Sequence, residues 1–266
     1  MKGILALVLL FSFIPHSTFA ATVIFLTSGT SFTTPSDWTT TNDIECIGAG
    51  GNGRTGAAAV GRGGGGGGAY AKVSNLALSG SIAYVVGTGG SGNDTYFNGA
   101  ASTTASISCA PGRNNNVSST GAGGSVANST GTTKYAGGTG SEGLICTGGE
   151  GGSGGSGGGS AGPGGAGGDG DTGISGGTCG GGFTAPGKEW NYGEGAGCGP
   201  GGYMSTSGEL YGGGGGGGGA DNCFLDVSAG SGAQGIIVVT YWPTLSSMIQ
   251  ILGGKTMIQG GKVSIY

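Results

Sequence analysis

Glycine limits the structures that this chain can form more than any other residue type does, because 73 of its 266 residues have no side chain. Average usage is about 7%. A glycine inside a helix costs about 1 kcal/mol relative to alanine, so a long helical protein is excluded. Glycine also loses more backbone freedom on folding than other residues do. Any ordered structure therefore needs compensating contacts or cross-links.

Charge is sparse and slightly acidic, with 9 Lys and Arg against 13 Asp and Glu. We expect no nucleic-acid partner, because such partners require a basic surface. A charged disordered chain is also not expected. Charged residues make up only 8% of the sequence, and Val, Ile, Tyr and Cys recur along it.

Residues 1–20 have the pattern of a secretory signal peptide. Lys2 precedes an apolar run from Ile4 to Ile14, and small residues surround Ala20. The alternative is a membrane anchor. The apolar run is shorter than the roughly 20 residues that a membrane-spanning helix needs, which favours a cleaved signal. We predict a secreted or extracellular protein with no membrane span.

Histidine is absent from the predicted mature chain, because the only one in the sequence is His16. A Ser-His-Asp or Cys-His nucleophile system is therefore excluded, as is a zinc site that uses histidine. Residues 48–53 fit the Gly-x-Gly-x-x-Gly pattern. No helix pattern or acidic residue follows at the spacing of a dinucleotide site, and this glycine content produces such matches by chance. We predict a non-enzymatic protein with no catalytic residue, metal or cofactor.

Six cysteines remain in the predicted mature chain, and an even number in an exported protein favours disulfides. Cross-links would restrict the unfolded state of a glycine-rich chain. Spacing does not select one connectivity, although we favour a pair between Cys179 and Cys198. The predicted disulfide cysteines are Cys46, Cys109, Cys146, Cys179, Cys198 and Cys223.

Residues 21–109 carry the residue types of short β-strands. Thr, Val, Ile and aromatic residues recur, and segment 43–47 alternates polar and apolar residues. Gly, Asn and Ser turns between such segments indicate an antiparallel sandwich. We predict an all-β fold with its base at 21–109 and strands near 22–27, 31–35, 43–47, 69–73, 81–86 and 104–108.

Residues 235–243 form the strongest strand pattern in the chain. Gly235 and Pro243 bound a continuous run of apolar and β-branched residues. Such a run is typical of a central strand that is covered on both faces. We expect it to close the base.

Residues 110–234 are a large glycine-rich insertion, with a period of three visible at 148–159. One interpretation is a flexible Gly/Ser linker. The other is a packed array of polyproline-II-like or polyglycine-II-like helices, whose bare backbones hydrogen bond sideways. We favour the array, because a linker would not need the cysteines and aromatic residues that interrupt this region.

The tail at 244–266 contains a short repeat. Met248-Ile249-Gln250 and Met257-Ile258-Gln259 each precede a Gly-Gly-Lys sequence. Gly-Gly between apolar runs predicts one or two hairpins, which could serve self-association or anchoring. The alternative is that the C-terminal tail is flexible and has no fixed structure.

One aromatic cluster is the candidate binding group. Aromatic faces next to amide groups are typical of recognition surfaces. The alternative is that these rings are buried packing residues within the glycine array, which otherwise has little apolar area. The candidate binding residues are Phe183, Trp190, Asn191, Tyr192, Tyr203 and Tyr211.

An ordered series of segments between residues 21 and 243 also carries a family resemblance. The segments are Phe25-x6-Phe32-Thr33-Thr34-Pro35, Ile44-Glu45-Cys46-Ile47-Gly48-Ala49-Gly50-Gly51, Gly63 to Gly68 with Ala69-Tyr70-Ala71, Val85-Val86-Gly87-Thr88-Gly89-Gly90, Asp94-Thr95-Tyr96-Phe97-Asn98-Gly99 and Gly235-Ile236-Ile237-Val238-Val239-Thr240-Tyr241. In this order they resemble the glycine-rich domain family of phage tail-tip and tail-fibre proteins and of secreted bacterial proteins. The resemblance implies a β base that carries glycine-rich loops, and a role in adhesion or receptor binding.

These observations predict an exported adhesion or receptor-binding protein that presents a rigid glycine-rich tip. Its partner would be a cell-surface receptor or glycan, and it could form a homo-oligomer. One alternative is a structural extracellular or virion component that assembles through backbone packing and the tail. Another is an ice-binding protein, since glycine-rich antifreeze bundles share the composition and the disulfides. The period of three slips after Gly159, which argues against the flat face that ice binding needs.

Overall fold

Two antiparallel β-sheets form the centre of the protein in a computed structural model, and the predicted all-β sandwich is confirmed. The predicted helices of the glycine-rich insertion between residues 144 and 206 lie outside the described residues, as does the predicted signal peptide before Ala20. The structure describes residues 20–55, 62–115, 120–143, 207–208, 210–215 and 228–243, with the backbone of four short strands at 220–221, 225–226, 256–259 and 262–265.

The larger sheet has five strands in the order β1-β11-β3-β4-β8, and every neighbouring pair is antiparallel. β11 pairs with β1 on one side and with β3 on the other, which explains why its sequence is a continuous apolar run. The strands are β1 (Thr22–Leu26), β3 (Asn42–Ile47), β4 (Tyr70–Ser74), β8 (Thr133–Tyr135) and β11 (Ile236–Tyr241).

The smaller sheet has four strands in the order β2-β5-β6-β7. Its inward side chains pack against those of the larger sheet, and a disulfide between Cys46 and Cys109 joins β3 to β7 inside this core. The strands are β2 (Ser31–Thr33), β5 (Ser81–Val85), β6 (Thr95–Phe97) and β7 (Ile107–Cys109). The buried core includes Phe32, Ile44, Ile82, Tyr84, Phe97, Ile107, Ile237 and Val239.

Within the two main sheets, three local features differ from the sequence prediction. The strand expected at 104–108 begins only at Ile107, because Ser102–Thr104 forms the single-turn 3₁₀ helix η1. β6 and β8 were not predicted as strands. Each has three residues in a short stretch between glycines, so no longer periodic run marks it as a strand. β8 lies within the glycine-rich region by sequence, yet it pairs with β4.

The larger sheet is apolar on its outer face as well. Side chains alternate along β11, so Ile237 and Val239 face the other sheet while Ile236 and Val238 face away from it. These two pack with Ile47 and Tyr70 into a second buried cluster, which we call the outer cluster. The Tyr70 hydroxyl donates a hydrogen bond to the Glu45 carboxylate on this face.

Two further strand pairs follow later in the chain. β9 (Ala220–Asp221) pairs with β10 (Leu225–Asp226), and β12 (Thr256–Gln259) pairs antiparallel with β13 (Lys262–Ile265) in the tail. The register sets Gln259 opposite Lys262. No helix in the part of the chain that the structure describes is long and apolar enough to cross a membrane.

Candidate binding site

Glycine segments extend from one end of the sandwich and hydrogen bond to one another through their backbones. Two of them directly continue strands, since 48–54 follows β3 and 110–115 follows β7. We call this assembly the glycine bundle. Its described segments are 48–54, 63–69, 110–115, 121–124, 137–141, 212–215 and 230–235.

Segment 63–69 lies inside the bundle, and its successive N–H groups donate to three different neighbours in turn. Gly64, Gly65 and Gly66 donate to the carbonyls of Ser141, Gly215 and Arg113 over 2.9, 2.8 and 3.0 Å. Gly67, Gly68 and Ala69 then donate to the same three neighbouring segments in the same order, at Gly138, Gly212 and Ala110. A repeat of about three residues per turn without hydrogen bonds inside the segment is the geometry of a polyproline-II-type helix.

Glycine is required here because the backbones approach closely. A Cβ added to Gly65 would overlap the Gly51 carbonyl, and one added to Gly66 would overlap the Ala122 carbonyl. Each neighbour that would be hit is backbone, which cannot rotate away as a side chain can. The bundle therefore tolerates no larger residue at these positions.

Two asparagines extend the hydrogen bonding at the margin of the bundle. The Asn52 N–H donates to Asn114 Oδ1 over 2.7 Å, and Asn114 Nδ2 donates to the Gly90 carbonyl over 2.7 Å. The Gly232 N–H donates to Asn52 Oδ1 over 2.9 Å. These amides link the bundle to the turn at Gly90 that precedes β6.

Of the six predicted disulfide cysteines, Cys46 and Cys109 are bonded to each other. The preferred pair of Cys179 with Cys198 lies outside the described residues, and so do Cys146 and Cys223. The described disulfide is fully buried, so it serves to link the sheets.

Of the six candidate binding residues, Tyr211 falls within the described part of the chain. It is half-buried and packs against the outer cluster, as Tyr135 does. Phe183, Trp190, Asn191, Tyr192 and Tyr203 lie outside the described residues.

An open cleft of about 600 Å³ lies where the glycine bundle meets the smaller sheet. Its walls come from η1, from the 3₁₀ helix η2 (Val126–Asn128) and from segment 110–115. Asp94 and Arg113 are the charged side chains of the lining. Uncharged polar groups line much of the rest, at Ser102, Thr103, Ser125, Asn128 and Thr130. We call this the Arg113 cleft.

Two buried hydroxyls hold the walls of the Arg113 cleft in place. Ser129 Oγ accepts from the Ala110 N–H over 3.0 Å and donates to the Ser125 carbonyl over 2.9 Å. Ser108 Oγ accepts from the Thr130 N–H over 3.1 Å. Because these hydroxyls bind the backbone, they fix the shape of the cleft.

A shallower depression of about 340 Å³ adjoins the cleft and shares Asp94 and Ser102 with it. Tyr96 lines this depression. Thr95 and Phe97 on either side of Tyr96 are buried, so alternation along β6 directs the Tyr96 side chain to the opposite, accessible face. An aromatic side chain thus lies beside the polar cleft.

Sequence reasoning did not identify Asp94, Tyr96 or Arg113 as site residues. The alternation at 95–97 is a signal that Tyr96 faces outward, but three residues are too few to stand out. Asp94 and Arg113 are brought together by the β6–β7 pairing. No local pattern connects them.

A family model describing a glycine-rich domain matches residues 26–242, from the last residue of β1 to the residue after β11. The chain belongs to the glycine-rich domain family. The glycine-rich domain therefore includes the sandwich, the bundle and the Arg113 cleft together. A search of the curated proteins found no match.

Proposed function

We propose that this protein is an exported, non-enzymatic adhesion or receptor-binding protein whose contact groups are presented on the glycine bundle. The period-three hydrogen bonding of segment 63–69 carries the proposal, because it ties a side-chain-free backbone to its neighbours at nearly every residue. A support that is already ordered loses less conformational entropy when its surface binds a partner. The segments that hydrogen bond to segment 63–69 are 48–54, 110–115, 121–124, 137–141 and 212–215.

The proposed partner is a cell-surface receptor or glycan. The chain between residues 144 and 206 connects two bundle segments, 137–141 and 212–215, and it contains Trp190 and Tyr192. Aromatic side chains supply much of the binding energy at recognition surfaces. We assign the contact to this part of the chain.

Export is supported by two observations that are independent of the bundle. The pattern at residues 1–20 is that of a signal peptide. The Cys46–Cys109 disulfide suits an oxidising compartment, where such bonds persist.

An attachment assay with the purified full-length protein tests the proposal. Trp190→Ala combined with Tyr192→Ala should weaken attachment to cells by about tenfold or more, as loss of a central aromatic pair does. Trp242→Ala is the matched control, because Trp242 is an exposed tryptophan at the end of β11 away from the bundle. Equal attachment by the double variant and the wild type would contradict the proposed contact residues. A wild-type protein that attaches to no cell or glycan would contradict the function.

A structural role through self-assembly is the second candidate, and the free edge of the larger sheet favours it. β1 is one of the two edge strands of the larger sheet, and unlike β8 at the other edge it carries no charged residue. Val23 and Phe25 on its outer face are 46% and 52% exposed. An uncharged edge strand with exposed apolar side chains is a pairing site for another chain. Phe25→Lys separates the two candidates, because a charge on the β1 edge should prevent assembly at that edge while attachment persists.

A further inference from the structure

We infer that the Arg113 cleft binds an acidic saccharide, meaning a sugar that carries a carboxylate. This rests on the proposed function in that a glycan is one of its partners. It differs in assigning the glycan to the cleft between η1, η2 and segment 110–115 rather than to Trp190 and Tyr192. The volume of the Arg113 cleft lies in the range of small-molecule sites, about 300 to 1,000 Å³.

Arg113 supplies the group that would recognise the carboxylate. Its backbone is held on both sides, because its N–H donates to the Ala122 carbonyl over 2.8 Å and its carbonyl accepts from the Gly66 N–H over 3.0 Å. Its exposed guanidinium forms no ion pair with any residue in the described ranges. A guanidinium pairs with a carboxylate through two parallel hydrogen bonds, which fixes the orientation of the ligand.

Asp94 and the hydroxyl-bearing wall exclude a simple anion as the preferred ligand. The Asp94 carboxylate lines the same cleft as Arg113 and would repel phosphate or sulfate. A sugar avoids this conflict, because its neutral hydroxyls can donate to Asp94 while its carboxylate lies at Arg113. Ser102, Thr103 and Asn128 add donors and acceptors for further hydroxyls.

Tyr96 supplies a stacking surface beside the polar cleft. The depression that it lines shares Asp94 and Ser102 with the Arg113 cleft, so a ligand longer than one sugar would pass from one to the other. The C–H face of a pyranose packs against an aromatic ring, and the tyrosine hydroxyl can hydrogen bond at the rim. The assembled set of cation, carboxylate, hydroxyls and ring matches the amphipathic chemistry of a saccharide.

The test measures binding of full-length protein to short oligogalacturonates and to sialyllactose by calorimetry. The carboxyl-reduced oligosaccharides and lactose serve as neutral counterparts. At least one acidic ligand should bind about tenfold more tightly than its neutral counterpart, as expected for a charge-assisted pair. Equal binding of acidic and neutral forms, or binding of neither, overturns the inference. Competition by free acetate or sulfate at the same concentration as the saccharide also overturns it, because it reveals a general anion site.

Variants locate the binding. Arg113→Gln should weaken acidic-saccharide binding by about tenfold or more and abolish the preference over the neutral form, whereas Arg113→Lys keeps part of the preference. Tyr96→Ala should weaken binding where Tyr96→Phe retains it. Arg54→Gln is the control, because Arg54 lies in the bundle and does not line the cleft. Wild-type binding by Arg113→Gln overturns the inference. Matching thermal unfolding midpoints show that a variant is folded.

The two proposals fail independently. Loss of cell attachment in the Trp190 and Tyr192 double variant, together with unchanged saccharide binding by Arg113→Gln, supports the function and overturns the cleft assignment. Saccharide binding that depends on Arg113, in a protein that attaches to no cell, supports the cleft and overturns the adhesion function.

Discussion

Cys46 and Cys109 are joined by a disulfide, with their Cα atoms 6.0 Å apart, at the point where β3 and β7 both run into the glycine bundle. The segments that follow them lie side by side, and the Gly112 N–H donates to the Ala49 carbonyl over 2.8 Å. One covalent bond therefore links the two sheets and also sets the distance at which two neighbouring bundle segments begin.

Replacement of both Cys46 and Cys109 by alanine should lower the free energy of unfolding by about 4 kcal/mol. The disulfide closes a loop with a sequence separation of 63, and the loss of this constraint stabilises the unfolded chain by roughly that amount. Chemical denaturation of the oxidised protein measures the effect. A loss below about 1 kcal/mol would contradict the expected role of the cross-link.

Gly66→Ala should destabilise the protein by about 3 kcal/mol or prevent folding, because the new Cβ overlaps the backbone at Ala122. Gly80→Ala is the control. Gly80 has open space around it, and its φ of +73° imposes only a conformational cost of about 1 kcal/mol. Denaturation curves give the free energy of unfolding of each variant, and the difference between them separates the cost of steric overlap from that of backbone strain. Similar losses for both would show that backbone approach is not what requires glycine in the bundle.

The Asp43–Lys72 ion pair should make stability depend on pH in the acidic range. Burial raises the pKa of Asp43, but hydrogen bonds from Lys72 and Ser74 and the Lys72 charge outweigh it and hold that pKa below its ordinary value of 3.8. A depressed pKa in the folded state means that the charged form stabilises the fold. This contribution is present above about pH 5 and is lost as the pH falls through the folded-state pKa of Asp43.

Asp43→Asn should therefore cost about 0.5 to 1 kcal/mol at neutral pH and flatten the stability profile below about pH 5. The Lys72 Nζ lies 2.8 Å from the Asp43 carboxylate at a partly exposed position, which limits the magnitude. Asp94→Asn is the control, because Asp94 has no ion pair with another described residue. Denaturation at a series of pH values measures both profiles. An unchanged profile in Asp43→Asn would show that the ion pair carries no acid sensitivity.

Tyr70→Phe should lower stability by about 1 to 2 kcal/mol, because it removes a hydrogen bond to the Glu45 carboxylate from a fully buried ring. Tyr135→Phe is the matched variant on the same face, and a partly exposed tyrosine should lose less than about 0.5 kcal/mol. Thermal unfolding compares the two. Equal losses would indicate that the Tyr70 hydroxyl does not matter for the outer cluster.

Phe25→Lys should weaken self-association, since a charge on the edge strand β1 disfavours pairing with a second chain. Val126→Lys places the same charge at an exposed apolar residue of η2 and should leave association unchanged. Sedimentation velocity over a range of concentrations measures both. If Phe25→Lys self-associates as strongly as the wild type, the β1 edge is not the assembly surface.

Long strands were predictable because their side chains carry a periodic signal. Segment 43–47 alternates, and the continuous apolar run at 236–241 marks a strand with neighbours on both sides. The three-residue strands at 95–97 and 133–135 carry too few side chains for such a signal. Their pairing depends on neighbours supplied by the tertiary fold.

The candidate site was less predictable than the fold. Tyr211 was singled out for its aromatic ring, but composition does not distinguish a ring that packs on the outer cluster from one that faces a partner. Arg113 and Asp94 were not singled out as binding residues, because neither stands in a cluster of charged or aromatic residues in the sequence. The pairing of β6 with β7 and the hydrogen bonds of segment 110–115 create the cleft between them.

The fold class follows from the amino-acid sequence, since side-chain periodicity decides which segments form strands and abundant glycine disfavours helices. Which glycine segments are neighbours follows only from the tertiary structure. Gly64, Gly65 and Gly66 are chemically identical, yet each donates to a different segment. A residue without a side chain carries no information about its partner, so the choice follows from where the sandwich and its disulfide hold the ends of each segment.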